Sequence, residues 1–136
     1  MVLDASAVVE LLLGSRRGAA VAAAVQQAGA ESGLHAPDLM DVEVAQVLRR
    51  YVARDLLPEA RAAAAVSLLQ RLPVTRHPGR ILLPRIWALR ENLTAYDAAY
   101  VSLAEALGAP LLTCDERLAR SPGHGAVVVA VLPDSG

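Results

Sequence analysis

Apolar residues follow two patterns along this chain. Short unbroken runs at residues 1–3, 109–115 and 126–132 predict strands buried on both faces, the last of them a final buried strand. Residues 34–37 and 74–75 predict two more short strands; in the first, Pro37 biases its neighbour toward extended backbone. Longer segments place apolar residues on one or more helical faces, predicting helices over 7–13, 19–28, 39–53, 59–72, 79–91 and 94–107. Polar or glycine-rich stretches separate them: a break at 15–18 and loops at 29–33 and 121–125. A short helical turn is expected at 116–120, and residues 133–136 read as a disposable tail.

Local start and stop signals sharpen this outline. Ser6 is the expected cap of the first helix and Gly14 closes it. Asp38, with Asp41 in the capping-box position, is the expected start of the 39–53 helix. Pro58 suits a first helical position, and Pro84 must sit in a first turn or kink its helix. The clearest element is 94–107. Thr94 can cap it, Asp97 lies three residues on, and Gly108 and Pro110 end it. Its body is rich in Ala, Val and Leu, so it is expected to be buried on much of its circumference with one carboxylate at its mouth. Strands alternating with helices predict an α/β fold in three layers, with a mostly parallel sheet of four to five strands flanked by helices. No composition shift or repeat interrupts residues 1–136, which predicts one domain.

Composition narrows the chemistry. Hydrophobic residues make up 54 % of the chain but aromatics only 3 %, so Ala, Val and Leu must build the core. The net charge of -1 supplies no global field for nucleic acid, so any RNA contact needs a local arginine edge. There is no lysine, which excludes mechanisms that need one. The lone Cys114 excludes an internal disulfide and fits a reducing compartment. Without a charged leader or an apolar run of membrane-spanning length, the chain reads as a soluble cytoplasmic domain.

Four acids stand where a parallel sheet gathers its functional groups, at the carboxyl ends of strands. Asp4 and Asp115 end apolar runs, and Glu43 and Asp97 lie near the starts of helices. Carboxylates brought this close raise one another's pKa, a conflict that a divalent cation removes. An all-oxygen set favours a hard ion, Mg²⁺ with Mn²⁺ as substitute, and such sites act on phosphates. Each acid also has a plainer reading. Asp97 can hold a helix start, Asp4 can be a solvated strand end, Glu43 can pair with an arginine, and Asp115 can initiate a turn. His35, His77 and His124 show no metal-ligand spacing and read as loop residues. Cys114 reads as a packed strand residue, and Trp87 as core or as groove surface.

The chain resembles PIN-domain ribonucleases, most closely the VapC-type toxins of bacterial toxin–antitoxin pairs. The resemblance rests on Val2-Leu3-Asp4-Ala5-Ser6-Ala7, on Pro37-Asp38 through Glu43 to Arg49-Arg50, on Leu93-Thr94-Ala95-Tyr96-Asp97-Ala98-Ala99-Tyr100, and on Leu111-Leu112-Thr113-Cys114-Asp115-Glu116-Arg117-Leu118. It implies that Asp4 and Asp97 bind the metal directly and that Glu43 and Asp115 complete a catalytic acid cluster. Ser6 and Thr113 would be hydroxyls that orient carboxylates or water. It further implies an Mg²⁺-dependent endoribonuclease, often a homodimer, silenced by a cognate VapB-type antitoxin. Candidate RNA contacts are Arg16, Arg17, Arg49, Arg50, Arg90 and Arg117, each of which could equally be a solvated helix face. Two other classes compete. An aspartate-phosphorylating enzyme would need a lysine partner and, in one family, a second Asp where Ser6 stands. A catalytically inactive PIN-like module would bind RNA or protein without cutting.

Overall fold

The computed structural model describes residues 1–28 and 32–133. In chain order the elements are β1 (Val2–Leu3), α1 (Ala5–Leu13), α2 (Arg16–Gln27), β2 (Leu34–Pro37), α3 (Leu39–Ala53), α4 (Glu59–Arg71) and β3 (Val74–His77). A 3₁₀ turn (Gly79–Leu82), α5 (Leu83–Ala88), α6 (Ala95–Leu107), β4 (Leu111–Thr113), α7 (Glu116–Ala119) and β5 (Val128–Ala130) follow. All strand pairs are parallel and the sheet order is β3-β2-β1-β4-β5, with Val2 opposite both His35 and Leu111. The first strand is therefore the central one. Val2 and Leu3 are fully buried, as their unbroken apolar sequence requires. Helices α1 to α4 pack against one another, while α6 lies on β1, β2 and β4 with α5 beside it, giving the three layers. Among the described residues no helix is long and apolar enough to cross a membrane.

Several expected boundaries shift. Asp4, not Ser6, caps α1: its Oδ1 accepts the Ala7 N–H at 2.9 Å, because the chain turns directly from strand to helix. The expected break at 15–18 is the start of α2. Ser15 caps it by accepting the Gly18 N–H at 3.0 Å. Gly18 is there because a Cβ would stand 2.0 Å from the Glu10 carbonyl oxygen, so only glycine lets α1 and α2 approach this closely. Asp38 has helical backbone angles (φ -62°, ψ -24°) and forms no side-chain cap; its Oδ1 accepts the Gly79 N–H at 3.2 Å instead. Asp41 is not a capping residue either. It forms a two-pronged pair with Arg76, whose guanidinium also donates to the carbonyls of Leu69, Leu72 and Val74 and so closes the end of α4. Pro58 precedes α4 rather than opening it. The expected 79–91 helix is a 3₁₀ turn followed by α5, with Pro84 in the first turn as anticipated.

The last strand departs most. β5 is an edge strand, not a buried one: Val129 is 43 % exposed, and Val127 of the same apolar run, just before the strand, 67 %. The histidines also depart. His35 on β2 and His77 on β3 are strand residues, because His77 lies two positions beyond Thr75, the partner of His35. Their Nδ1 and Nε2 atoms stand 2.9 Å apart. His124 does lie in a loop, facing Ser121. Residues 29–31 of the predicted loop and 134–136 of the tail lie outside the described residues.

Helix α6 is capped as predicted, by Thr94 accepting the Asp97 N–H and by Gly108 in the left-handed conformation. Its Ser102 is 3 % exposed, and its Oγ has no hydrogen-bond partner among the described residues. Ser102→Ala removes that penalty and should raise stability by about 1 kcal/mol in urea unfolding. A loss of stability would mean that the hydroxyl is satisfied in solution.

Candidate active site

The chain leaves β1 toward β2 on one side and returns through β4 on the other. A crevice therefore opens beyond the carboxyl ends of β1 and β4. Asp4 follows β1 directly and is 5 % exposed. Its Oδ1 accepts the Ser6 hydroxyl at 2.6 Å and the Ala7 N–H; its Oδ2 accepts the Thr113 hydroxyl. The same two hydroxyl oxygens accept backbone N–H groups from the β4 end, Ser6 from Cys114 and Thr113 from Asp115, each at 2.9 Å. Each hydroxyl thus spends its one proton on Asp4 and uses a lone pair to hold the chain after β4. Burial pushes the Asp4 pKa up, and Asp115 adds to this, but three donors aimed at it favour the ionised form.

The other acids converge from their helix starts. Glu43, in the second turn of α3, is half-buried and its Oε1 accepts the Tyr100 hydroxyl at 2.6 Å. Burial raises its pKa, the Tyr100 hydrogen bond opposes this, and Asp97 and Asp4 raise it further. Asp97 is raised by burial and by Asp115, with Arg117 and Thr94 opposing. Asp115 caps α7 by accepting the Arg117 N–H and also faces the Arg117 guanidinium at 3.3 Å. Each of the four acids thus feels at least one other, in one linked set. Asp97 and Asp115 also serve the helix starts that their plainer readings assign them. Among the described residues, no three His, Cys, Asp or Glu side chains already stand at metal-holding spacing.

Tyr100 is the site residue that sequence reasoning missed. It is 2 % exposed, one helical turn beyond Asp97, and its hydroxyl donates to Glu43 Oε1 at 2.6 Å. The signal was available: a tyrosine in an otherwise Ala/Val/Leu helix must find a polar partner when buried. Its pKa is driven far up by burial and by Glu43, so it remains a donor.

The arginines divide. Arg17 pairs with Glu10, Arg117 with Asp115, and Arg90 stacks 4.7 Å over the Trp87 ring, which is surface rather than core. Arg16 opens α2, in a groove with Pro133. Arg49 and Arg50 are exposed on α3 and form no ion pair among the described residues. Arg50 separates two grooves flanking the acids. One, of about 420 Å³, reaches Glu43; the other, of about 360 Å³, reaches Ser6 and Asp115. In the second groove burial pushes the Cys114 thiol up to about 11, which removes it as a nucleophile.

The PIN domain family model matches residues 1–123. The chain belongs to the PIN-domain family. Its relatives include Ribonuclease VapC12 of Mycobacterium tuberculosis, 44 % identical over 131 residues that span 96 % of this chain and 98 % of the relative. Ribonuclease VapC1 of the same organism is 46 % identical over 123 residues, 90 % of each chain. The crystal structure of PAE2754 from Pyrobaculum aerophilum superposes with a TM-score of 0.62 at 25 % identity, covering 93 % of this chain and 88 % of that one. This PIN domain carries its acids on the strand ends and helix starts that the sequence pattern singled out.

Proposed function

We propose that this PIN domain is a divalent-metal-dependent endoribonuclease, the toxin of a cytoplasmic toxin–antitoxin pair. In this reading it works as a homodimer and is silenced by a cognate VapB-type antitoxin. One observation carries the reading: Asp4, Glu43, Asp97 and Asp115 form a linked, mutually repelling set at the sheet's switch point, opposed by a single arginine. Its relatives named VapC ribonucleases support it.

The donor set is all oxygen and suits Mg²⁺, with Mn²⁺ as substitute. Once bound, such an ion would polarise the phosphoryl oxygen and ease deprotonation of the attacking water. The protein's part follows from its contacts. Ser6 and Thr113 hold the Asp4 carboxyl in place and favour its ionised form against burial. Tyr100 occupies Oε1 of Glu43, and no hydrogen bond among the described residues claims Oε2. Asp97 and Glu43, only half-buried, have the freedom to close the set. Arg50, which lines both grooves beside the acids, is positioned to meet phosphates, and Arg117 sits on the acids themselves.

The test is cleavage of labelled single-stranded RNA with Mg²⁺ or Mn²⁺, and its loss in EDTA. Among the described residues no three acids already stand at metal-holding spacing, which favours one alternative, a module that binds without cutting. RNA binding unaffected by EDTA, with no cleavage in either metal, would establish that instead.

A further inference from the structure

The groove that reaches Glu43 is built along one stripe of α3. Leu39, Val42, Glu43, Gln46, Val47 and Arg50 follow helical spacing, and Tyr96 closes the groove from the start of α6. Its walls are mainly apolar and unusually open. Val42 is 74 % and Tyr96 63 % exposed, a poor arrangement for residues with nothing to cover them. Three polar groups along it are unspent. The Gln46 amide, the Tyr96 hydroxyl and the Arg50 guanidinium make no side-chain hydrogen bond or ion pair among the described residues. One end is Glu43, which belongs to the acid set, and the far cation is Arg50, which the groove shares with the polar groove on the Asp115 side.

The geometry points to a nucleobase subsite: the groove takes one unstacked base of single-stranded RNA, next to the phosphate that lies over the acids. This rests on the proposed nuclease reading and names its substrate as unpaired RNA. The chemistry fits piece by piece. A base needs a flat ring to stack on, which Tyr96 supplies against the Val42 and Leu39 wall. It needs a donor and an acceptor for its edge, and an amide offers both. Its phosphate needs a cation that no carboxylate has claimed, and Arg50 is that cation. The groove is continuous with the acids, so a strand whose phosphate reaches them can seat the adjoining base here without a turn. A double-stranded RNA cannot, because its bases are stacked and paired.

The probe is a labelled pool of short random-sequence single-stranded RNA, used with wild type, Tyr96→Ala and Gln46→Ala. Both substituted side chains are exposed, so the variants should fold. Three readouts are taken: binding in EDTA by fluorescence anisotropy, cleavage efficiency in Mg²⁺, and the bases beside the cut by sequencing the products. Tyr96→Ala should weaken binding and cleavage about tenfold or more, with Mn²⁺ affinity unchanged. Gln46→Ala should flatten the base preference at one position beside the cut. If wild type binds and Tyr96→Ala binds far more weakly, yet nothing is cut, the nuclease reading falls and the subsite stands. If cutting, binding and base preference are the same in all three, the subsite falls and the nuclease reading stands. If instead the variants lose self-association in sedimentation, or lose affinity for a peptide partner while RNA handling is unchanged, the groove is a protein interface and the subsite also falls.

Discussion

Asp97→Asn is expected to melt no lower than wild type in EDTA, and to cut RNA about a hundredfold or more slowly in Mg²⁺. Both halves follow from the same repulsion. Asp97 is raised by burial first and by Asp115 second, and it in turn raises Glu43. The amide is nearly isosteric and leaves the backbone N–H bond to Thr94 in place. Without metal the variant loses a repelling charge and little else. With metal the wild type should gain about 2.7 kcal/mol once the ion reaches a hundred times its dissociation constant, and the variant much less. The pH dependence has a fixed sign. A carboxyl raised in the folded state favours folding when protonated, so its contribution is full below the unfolded value of 3.8 and is lost as pH rises through the higher folded value. In EDTA the advantage of the variant should therefore shrink as pH falls from neutrality toward 4. Differential scanning in EDTA and in Mg²⁺ across that range decides it. A variant about 1 kcal/mol less stable in every buffer, with no metal response in either protein, would reduce Asp97 to a helix-start residue.

Tyr100→Phe is expected to cost about 1–3 kcal/mol of stability, and about 10- to 100-fold in Mn²⁺ affinity and turnover. The ring stays and the packing with it, so the loss is that of one oxygen. That oxygen donates to the Glu43 carboxylate from a position almost sealed from water. Removing it frees Glu43 to rotate and leaves its half-buried carboxylate short of a donor. A double-mutant cycle with Glu43→Gln separates the two effects. If Tyr100 acts through Glu43, the penalty on metal affinity disappears in the Glu43→Gln background. Equal penalties in both backgrounds would make Tyr100 a packing residue only.

The parts legible in the sequence were those decided within one turn of chain. The 39–53 helix has the predicted bounds, and Gly14 and Gly108 end their helices in the left-handed conformation. The four acids were legible because a strand end or a helix start is itself a local feature. What failed depended on distant chain. Asp38 looked like a cap, but its backbone is set by β2 pairing with β3, whose His77 carbonyl takes the Asp38 N–H. The 126–132 run reads as buried because apolarity records affinity for a core, not whether another strand lies beyond it. The histidines looked scattered because 42 residues separate two side chains that a register places in contact. Tyr100 stands out locally only as a polar group in an apolar helix; the Glu43 partner that gives it a role lies 57 positions away.

The sheet order sets a timetable for synthesis. β1 is the first strand to leave the ribosome and the middle of the finished sheet, yet its β4 neighbour is made more than a hundred residues later: the Thr113–Asp4 bond spans 109 positions. Contacts of such separation cannot form until nearly the whole chain is out, and folding through them is slow. Asp4 must wait for Thr113 to fix its carboxylate, and the acid set waits for Asp115. A nascent or prematurely ended chain therefore carries Asp4, Glu43 and Asp97 without the strand that assembles them, so the acid set is completed only as synthesis ends.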